Sequence, residues 1–325
     1  MTNINRRTLL LGAALSPLAT GGALGQANWP NQTVRIVVPF APGSFTDVSA
    51  RLVAQELTEQ LGQPVIVENR GGAGGTAGTT LVVRAAPDGY TLLLTDNSLS
   101  ISPGLYPNLP YDPIKDLSQI SRIADSPSIL MVRSGLGPKT LAELIALCKQ
   151  RPGEVTFGSG GAGSSAHLAM ELLLNVSGIK ALHVPFRGVA AAIAEVIAGR
   201  VDMAIASLAS GVAHVQAGTL IGAAVSGDKR SELLPQVPTF AEAGQPRYNT
   251  SYWWGIAAPA GTPKPIVDRL HQEIVKACAR PRLREAFLKS AALAVTSTPD
   301  EMTKFVANEV DVWRGVIKSA NVTVQ

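Results

Sequence analysis

Three turns of the chain combine small residues with a predicted helix start, which is a combination that could bind an anion. They span 39–47, 157–167 and 184–188, and they read PFAPGSFTD, FGSGGAGSSAH and VPFRG. The first N–H groups of a helix have no partner within the helix, and the helix dipole adds partial positive charge there. Such an end can bind a carboxylate or phosphate without a lysine. The glycines could instead serve only to allow tight turns, but the presence of three such turns favours an anion site.

Two nucleotide motifs are incomplete. Gly158 to Gly163 fits G-x-G-x-x-G after a predicted strand, but no acidic residue lies between Glu171 and Glu195 to bind the ribose of a dinucleotide. No glycine run is followed by G-K-S or G-K-T, which a P-loop requires. The sequence therefore predicts no cofactor.

The residues that could perform catalysis are scattered. The chain has four histidines, and none stands at metal-ligand spacing from another. No serine, cysteine or aspartate has an evident base beside it, so we predict neither a metal site nor an enzyme. An enzyme acting on a carboxylate stays an alternative, with His167 and Asp202 as its acid–base pair. Asp47 is expected to accept hydrogen bonds at the start of its helix, and Trp253 and Trp254 are expected to pack in the core.

Short apolar runs alternate with stretches of helical periodicity, which predicts an α/β fold. Two sets of such units occur, and the final helices have no partner strands of their own. We therefore predict a first lobe from 28–125 together with 228–325, and a second lobe at 126–227. Two crossings between the lobes would form a hinge, with the ligand in the crevice between them.

The N-terminal residues 1–27 have the pattern of an export signal, which we expect to be of the twin-arginine type; the general export route is the alternative, because leucines stand where Phe and Lys usually follow the arginine pair. Arg6 and Arg7 precede a short apolar run, and the small residues before Asn28 predict cleavage near Ala27/Asn28 and a periplasmic location. The sequence contains no stretch of about 20 apolar residues, so it predicts no membrane anchor.

Charge and cysteine content exclude two further classes of protein. Without Arg6 and Arg7 the 28 basic residues become 26, against 24 acidic ones, and no cluster of basic and aromatic residues indicates nucleic acid binding. The two cysteines, Cys148 and Cys278, are each expected to be buried inside a helix. A disulfide between them is the less favoured alternative.

Seven segments in this order resemble the solute receptors of tripartite tricarboxylate transporters, the Bug or TctC family. They read RIVVPFAPGSFTDVSARLVAQEL, VIVENRGGAGGTAGT, APDGYTLLL, SPGLYPNLPYDPIKDLSQIS, TFGSGGAGSSAHLAMELL, VPFRGVAAAIAEVIAGRVDMAIAS and VPTFAEAGQPRYNTSYWWGIAAPAGTP. The resemblance implies a two-lobed, type II-like periplasmic binding fold, in which each lobe is a mixed, mainly parallel sheet flanked by helices. It also implies a monomer that binds a small di-, tri- or aromatic carboxylate and delivers it to integral membrane transporter subunits. A periplasmic carboxylate sensor is the alternative within this class.

By position, the resemblance implies ligand contacts from both lobes. The first lobe would contribute Phe40, Pro42, Gly43, Ser44, Thr46, Asp47, Asn97 and Ser98, and the second would contribute Ser159, Gly160, Ser164, His167, Arg187, Gly188, Asp202 and Ser207.

Two segments depart from the family pattern. The family commonly has glycine at the position of Ser44. The serine side chain adds a hydroxyl group and leaves a ligand less room to reach the backbone at this position. The segment 96–100, DNSLS, differs from the commoner versions and is expected to affect ligand choice. Amino acids also fit a site formed by backbone amides, but the lack of an evident acidic partner for an amino group favours a carboxylate without one.

Overall fold

The computed structural model describes residues 29–320 and residue 322. The first elements are β1 (Val34–Val38), α1 (Phe45–Leu61), β2 (Val65–Asn69), α2 (Thr76–Val83), β3 (Thr91–Asp96) and α3 (Asn97–Leu105). The middle elements are β4 (Leu117–Arg133), α4 (Leu141–Gln150), β5 (Thr156–Ser159), α5 (Ser165–Ser177), β6 (Leu182–Pro185), α6 (Val189–Ile197), β7 (Met203–Ser207), α7 (Leu208–Gln216) and β8 (Leu220–Val225). The last elements are β9 (Ser251–Pro259), α8 (Lys264–Ala279), α9 (Pro281–Lys289), β10 (Leu293–Ala294) and α10 (Pro299–Ala320).

The strands follow the order β2-β1-β3-β9-β4-β7-β5-β6, while β10 and β8 also pair with β4. The outer strands pair in parallel, β2 and β3 with β1, and β6 and β7 with β5. The strands that pair with β4 are antiparallel to it. The predicted α/β class is therefore confirmed, with a mixed sheet flanked by helices.

The long strand β4 belongs to both lobes. Its residues 117–127 pair with β9, whereas residues 128–133 pair with β7 and β8. The sequence predicted a strand only over its last part, because serine and glutamine interrupt the apolar pattern upstream; Gln119 and Ser121 are nevertheless buried. A continuous strand therefore joins the two parts of the sheet.

Each lobe has its own hydrophobic core. Residues of β1, α1 and α8 share the first, and residues of α4, β5 and α5 share the second. Cys278 lies in the first core and Cys148 in the second, and both thiols are free. The cysteines are therefore buried without forming a disulfide, as the sequence analysis favoured.

The return segment 226–250 packs on the second lobe. Phe240 and Tyr248 belong to the core of that lobe, with ring centroids 3.9 Å apart. Thr239 forms a parallel bridge with Val225, and Ser128 N donates to Ser226 Oγ at 2.8 Å. We therefore propose that the second lobe ends near residue 250, not at 227, because this segment buries its apolar side chains there.

The predicted export signal, 1–27, and its cleavage near Ala27/Asn28 lie outside the described residues. Among the helices that the structure describes, none is both long and apolar enough to cross a membrane.

Candidate functional site

Five of the described helices begin at one cavity between the lobes: α1 and α3 from the first lobe, and α5, α6 and α7 from the second. Three of them begin at a side chain that caps the helix. Asp96 accepts from Ser98 N at 2.9 Å, Ser164 from His167 N at 3.3 Å, and Ser207 from Ser210 N at 3.2 Å. The partial positive ends of these helices therefore converge on the same space.

The cavity itself is narrow, with a volume of about 30 Å³, and the space reaches about 380 Å³ only when the solvent at its mouth is included. Its walls are rich in hydroxyl groups, and Asp96 is the formally charged residue among the described lining residues. The lining residues are Phe40, Ser44, Thr46, Asp96, Gly160, Ser164, Ser165, Ala166, Val189, Ser207, Ser210, Tyr252 and Trp254.

Two of the lining hydroxyls are buried without a partner among the described residues, Ser165 Oγ and Tyr252 Oη. Tyr252 is 7% exposed and Ser165 is 6% exposed. A buried polar group left without a hydrogen bond costs about 1–3 kcal/mol. Hydrogen-bonding capacity is therefore available in the cavity for a polar ligand.

The lobes touch around the cavity. Ala41 N donates to Arg187 O at 3.3 Å, and Tyr106 Oη donates to Ala162 O at 3.0 Å. Deeper in the cleft, Phe45 N donates to Ser210 Oγ at 3.1 Å. These bonds join residues of opposite lobes, so the structure shows a closed arrangement.

Most of the residues that the sequence analysis proposed as ligand contacts come together here. Six of them line the cavity: Phe40, Ser44, Thr46, Gly160, Ser164 and Ser207. Three others lie where the lobes meet: Gly43, Arg187 and Gly188. Pro42 is exposed between Ala41 and Gly43. A Cβ on Gly43 would be 3.4 Å from Ala190 Cβ, and one on Gly188 would be 3.4 Å from Ala41 Cβ. Both glycines have positive φ and allow this close approach.

Asp47 lies at the start of α1, but its carboxylate is held away from the cavity. It accepts from Arg51 Nη2 at 2.9 Å, from Asn69 Nδ2 at 2.9 Å and from Gly43 N at 3.4 Å. Burial raises the pKa of Asp47, but these hydrogen bonds and the charge of Arg51 outweigh burial and hold the pKa below its usual value. Asp47 thus stabilises the first turn, and the structure does not bring it to the ligand space.

Asp202 is also removed from the cavity. It precedes β7, whereas Ser207 ends that strand, which places the two residues about 16 Å apart. Its carboxylate accepts from Arg133 Nε at 2.7 Å and from Thr156 N at 2.8 Å. Burial raises the pKa of Asp202, but the hydrogen bonds from Thr156 and Arg133 outweigh burial. The pKa of Asp202 therefore lies below its usual value. Asp202 therefore connects strands at the far end of the sheet.

His167 supports the wall of the cavity from behind. Its Nδ1 accepts from Gly163 N at 3.2 Å, and its ring stacks on His183 at 4.0 Å. Burial, with a smaller effect of His167, lowers the pKa of His183 to about 4. His183 Nε2 lies 2.6 Å from Ser159 Oγ. His167 and Asp202 are therefore not assembled as the acid–base pair of an enzyme, and neither His167 nor Ser159 lines the cavity.

The two residues predicted after β3 also support the site indirectly. Asn97 Nδ2 donates to Ser251 O at 3.0 Å and its Oδ1 accepts from Trp253 N at 3.2 Å, which fixes α3 to β9. Ser98 donates from both its N and its Oγ to Asp96 Oδ1. The sequence analysis thus named Asn97 and Ser98 as ligand contacts, and it included Asp96 only in the segment 96–100 that was expected to affect ligand choice.

The sequence analysis did not name several lining residues as ligand contacts, among them Asp96, Ser165, Ser210, Tyr252 and Trp254. Asp96 caps α3, a helix that was not predicted because Pro103 lies within it. The signal available was an aspartate directly after a strand, followed by two small polar residues. Trp254 was expected in the core; it packs there, and its Nε1 also donates to Thr46 Oγ1 at 3.0 Å. No local pattern indicates Tyr252, which reaches the cavity through strand pairing.

The cavity wall offers no obvious metal or nucleotide site. Within residues 29–320 and 322, no three side chains of His, Cys, Asp or Glu are placed to hold a metal ion. The described lining residues include no lysine, arginine or histidine. Recognition of an anion would therefore depend on helix ends and hydroxyl groups.

Comparisons with known proteins agree with this arrangement. Residues 49–322 match the family described as the tripartite tricarboxylate transporter family receptor. Protein BugT of Bordetella pertussis is 36% identical over 318 residues, which cover 97% of this chain and 98% of BugT.

Solved structures give the same result. The periplasmic binding protein BugD has a TM-score of 0.88 at 33% identity and covers 91% of this chain and 100% of its own. MatC from Rhodopseudomonas palustris, solved with malate, has a TM-score of 0.86 at 32% identity and covers 89% of this chain and 100% of its own. Rpa4515 of R. palustris, solved with adipate, has a TM-score of 0.87 at 32% identity, with 91% and 99% covered. The chain therefore belongs to the tripartite tricarboxylate transporter receptor family of periplasmic solute-binding proteins.

Proposed function

We propose that this protein captures a small carboxylate between its two lobes and delivers it to an integral membrane transporter of the tripartite tricarboxylate type. The observation that carries the proposal is the convergence of five helix N-termini and seven hydroxyl-bearing residues on one cavity between the lobes of the described chain. Helix ends and hydroxyls supply hydrogen-bond donors and partial positive charge to an oxygen anion. That two relatives were solved with adipate and with malate supports a carboxylate ligand here.

The contacts between the lobes support capture by closure. A ligand stabilises the closed form only if it binds that form better than the open one. The lining residues come from both lobes, so a ligand would complete its hydrogen bonds only after closure. The closed form, with its cleft covered, is the state that we propose for docking on the transporter.

Export to the periplasm is part of the proposal. The family consists of periplasmic binding proteins, and Arg6 and Arg7 with the apolar run after them fit a signal of the twin-arginine type. We propose cleavage near Ala27/Asn28 and a receptor that acts as a monomer.

Thermal unfolding with a panel of ligands tests the proposal. The protein purified from the periplasm is heated with succinate, malate, adipate, citrate, benzoate and aspartate, and with the uncharged diol 1,4-butanediol. A ligand present at 100 times its dissociation constant stabilises the folded state by about 2.7 kcal/mol. At least one carboxylate is expected to raise the melting temperature, and the diol is not. No shift with any carboxylate would overturn the proposal.

A charge placed in the cavity tests the location of the site. Ser207→Asp keeps a good capping residue on α7 but brings a negative charge among the helix ends. At about 5 Å and an effective dielectric constant of about 20, the repulsion of a carboxylate is about 3 kcal/mol, or about 100-fold in affinity. Thr140→Asp is the matched control, because Thr140 caps α4 away from the cleft. Equal loss of affinity in both variants would contradict this location.

A further inference from the structure

Asp96 is a buried acidic side chain in a site built for anions. It is 5% exposed, caps α3 and lines the cavity. Its Oδ1 accepts from Ser98 N and Ser98 Oγ, whereas its Oδ2 has no hydrogen-bond partner within the described residues. One carboxylate oxygen is therefore fixed by the protein, and the other is available to a ligand.

The strand pairing places Asp96 on the same face of the sheet as a second unused polar group. Asp96 is paired with Trp254 across β3 and β9, and Tyr252 lies two residues from Trp254, on the same face of β9. The hydroxyl of Tyr252 has no partner among the described residues. The cavity thus holds an acceptor and a hydroxyl on the same face of the sheet, both at least nine-tenths buried.

The negative charge of Asp96 has no cationic partner in the cavity. The described lining residues include no basic side chain. Burial raises the pKa of Asp96 to about 6, against the hydrogen bonds from Ser98, and no neighbouring cation contributes to the shift. Buried charges in proteins are normally paired. The missing partner is a positive group, and a ligand can supply it.

Resting on the proposed function, we infer that Asp96 binds an ammonium group, so that the ligand is a carboxylate that also carries a protonated amine. The ligand carboxylate would lie at the helix ends of the second lobe, and its ammonium group would donate to Asp96 Oδ2. This reverses the expectation from the sequence of a ligand without an amino group, which followed from the apparent lack of an acidic partner. A ligand with carboxylates alone would instead meet the repulsion of Asp96.

Calorimetric titration with ligands that share one carbon skeleton and differ in a single substituent tests this inference. Succinate, malate and aspartate differ at their second carbon by hydrogen, hydroxyl and ammonium, and adipate with 2-aminoadipate forms a longer pair. A hydrogen bond to a charged group is worth about 1.5–3 kcal/mol, or about 10- to 150-fold in affinity. In at least one series the aminated member should bind about 10- to 150-fold more tightly than the member without the amine.

The variant Asp96→Asn should bring the aminated and plain members within about threefold of each other, since asparagine also caps a helix but carries no charge. Circular dichroism reports whether Asp96→Asn disturbs folding. If it does, Asp96→Ser replaces it, because serine also caps a helix and has a smaller, uncharged side chain. Asp112→Asn is the control, because it removes one charge from a loop aspartate that accepts from Ile114 N and Lys115 N outside this cavity.

The outcomes separate the two proposals. Plain carboxylates that bind as tightly as their amino counterparts would overturn the role of Asp96 and leave the proposed function standing. Malate binding as tightly as aspartate would show that Asp96 accepts from a neutral donor, which also overturns the ammonium assignment. A preference for the amine that survives in Asp96→Asn would contradict the inference as well. Binding of 1,4-diaminobutane without any carboxylate binding would support Asp96 and overturn the proposed function, and no binding by any compound would overturn both.

Discussion

The closed arrangement depends on a glycine that lies between the lobes. Gly74 follows β2, and a Cβ placed on it would lie 2.4 Å from Ala162 O and 3.0 Å from Gly163 C in the opposite lobe. Ordinary contacts of this kind begin at about 3.4 Å, so Gly74→Ala should force the lobes apart by about 1 Å at this point. The change leaves the residues that line the cavity untouched.

The cost of that separation follows from the bonds that it strains. The bond from Tyr106 Oη to Ala162 O and the bond from Ala41 N to Arg187 O both join the lobes at this edge. Each contributes about 0.5–1.5 kcal/mol. Losing both would weaken the closed form by about 1–3 kcal/mol, which corresponds to a loss of ligand affinity of about 5- to 150-fold.

A second glycine, Gly62, provides a control that distinguishes an effect on lobe closure from an effect of backbone strain. Gly74 has a φ of +63°, so alanine there also costs about 1–2 kcal/mol in the folded state. Gly62 has a φ of +67°, and a Cβ on it would meet nothing within 4 Å. Urea unfolding should show similar losses of stability for Gly74→Ala and Gly62→Ala. Calorimetry with the carboxylate that binds most tightly in the ligand panel should show weaker binding for Gly74→Ala alone. Equal affinities in the two variants would refute the argument from closure.

Three further predictions concern buried ionisable groups. Folding raises the pKa of Asp96 to about 6, so its ionised form destabilises the ligand-free protein at pH 7. The variant Asp96→Asn should therefore increase the free energy of unfolding by up to about 3 kcal/mol at pH 7. At pH 4 the increase should be small, because Asp96 is then protonated in the folded protein. Urea unfolding at both values checks this, and an equal gain at pH 4 would contradict it. Asp202→Asn should lower the free energy of unfolding by about 1–3 kcal/mol, because Arg133 and Thr156 lose a charged acceptor. Its ligand affinity should stay within twofold of the original, and a larger loss would place Asp202 at the site after all. Burial raises the pKa of Cys148 to about 11 and of Cys278 to about 12, so iodoacetamide at pH 8 should alkylate both thiols only after unfolding. Mass spectrometry detects the added groups, and labelling of the folded protein would contradict the burial of these thiols.

Local chemistry explains what the sequence analysis predicted well. Gly62 ends α1 in a left-handed conformation, and Ser164 caps α5, so both helix boundaries followed from residue types close in the chain. The alternation of apolar runs and helical periodicity gave the α/β class for the same reason. The starts of α1, α5, α6 and α7 were also predictable, because each of these helices follows a predicted strand, whereas the start of α3 was not.

Packing between distant segments explains what it did not predict. The first part of β4 has no apolar pattern, and it is a strand because β9 supplies its hydrogen bonds along residues 117–127. The segment 226–250 follows the second lobe because Phe240 and Tyr248 find their core there. Neither partner is close in the chain, so neither arrangement has a local signal.

The candidate site likewise has features that follow from local sequence and features that depend on packing between distant segments. By itself, the sequence determined which turns carry helix starts, and hence where backbone donors and small hydroxyl residues occur. Only the tertiary structure decided which of these face the cavity: it turned Asp47 toward Arg51, placed Asp202 at the far end of β7, and brought Asp96 and Tyr252 to one cavity. A capping bond joins residues a few positions apart, whereas the position of a carboxylate relative to a cleft depends on strand register. That register is fixed by partners more than a hundred residues away, as the pairing of Asp96 with Trp254 shows.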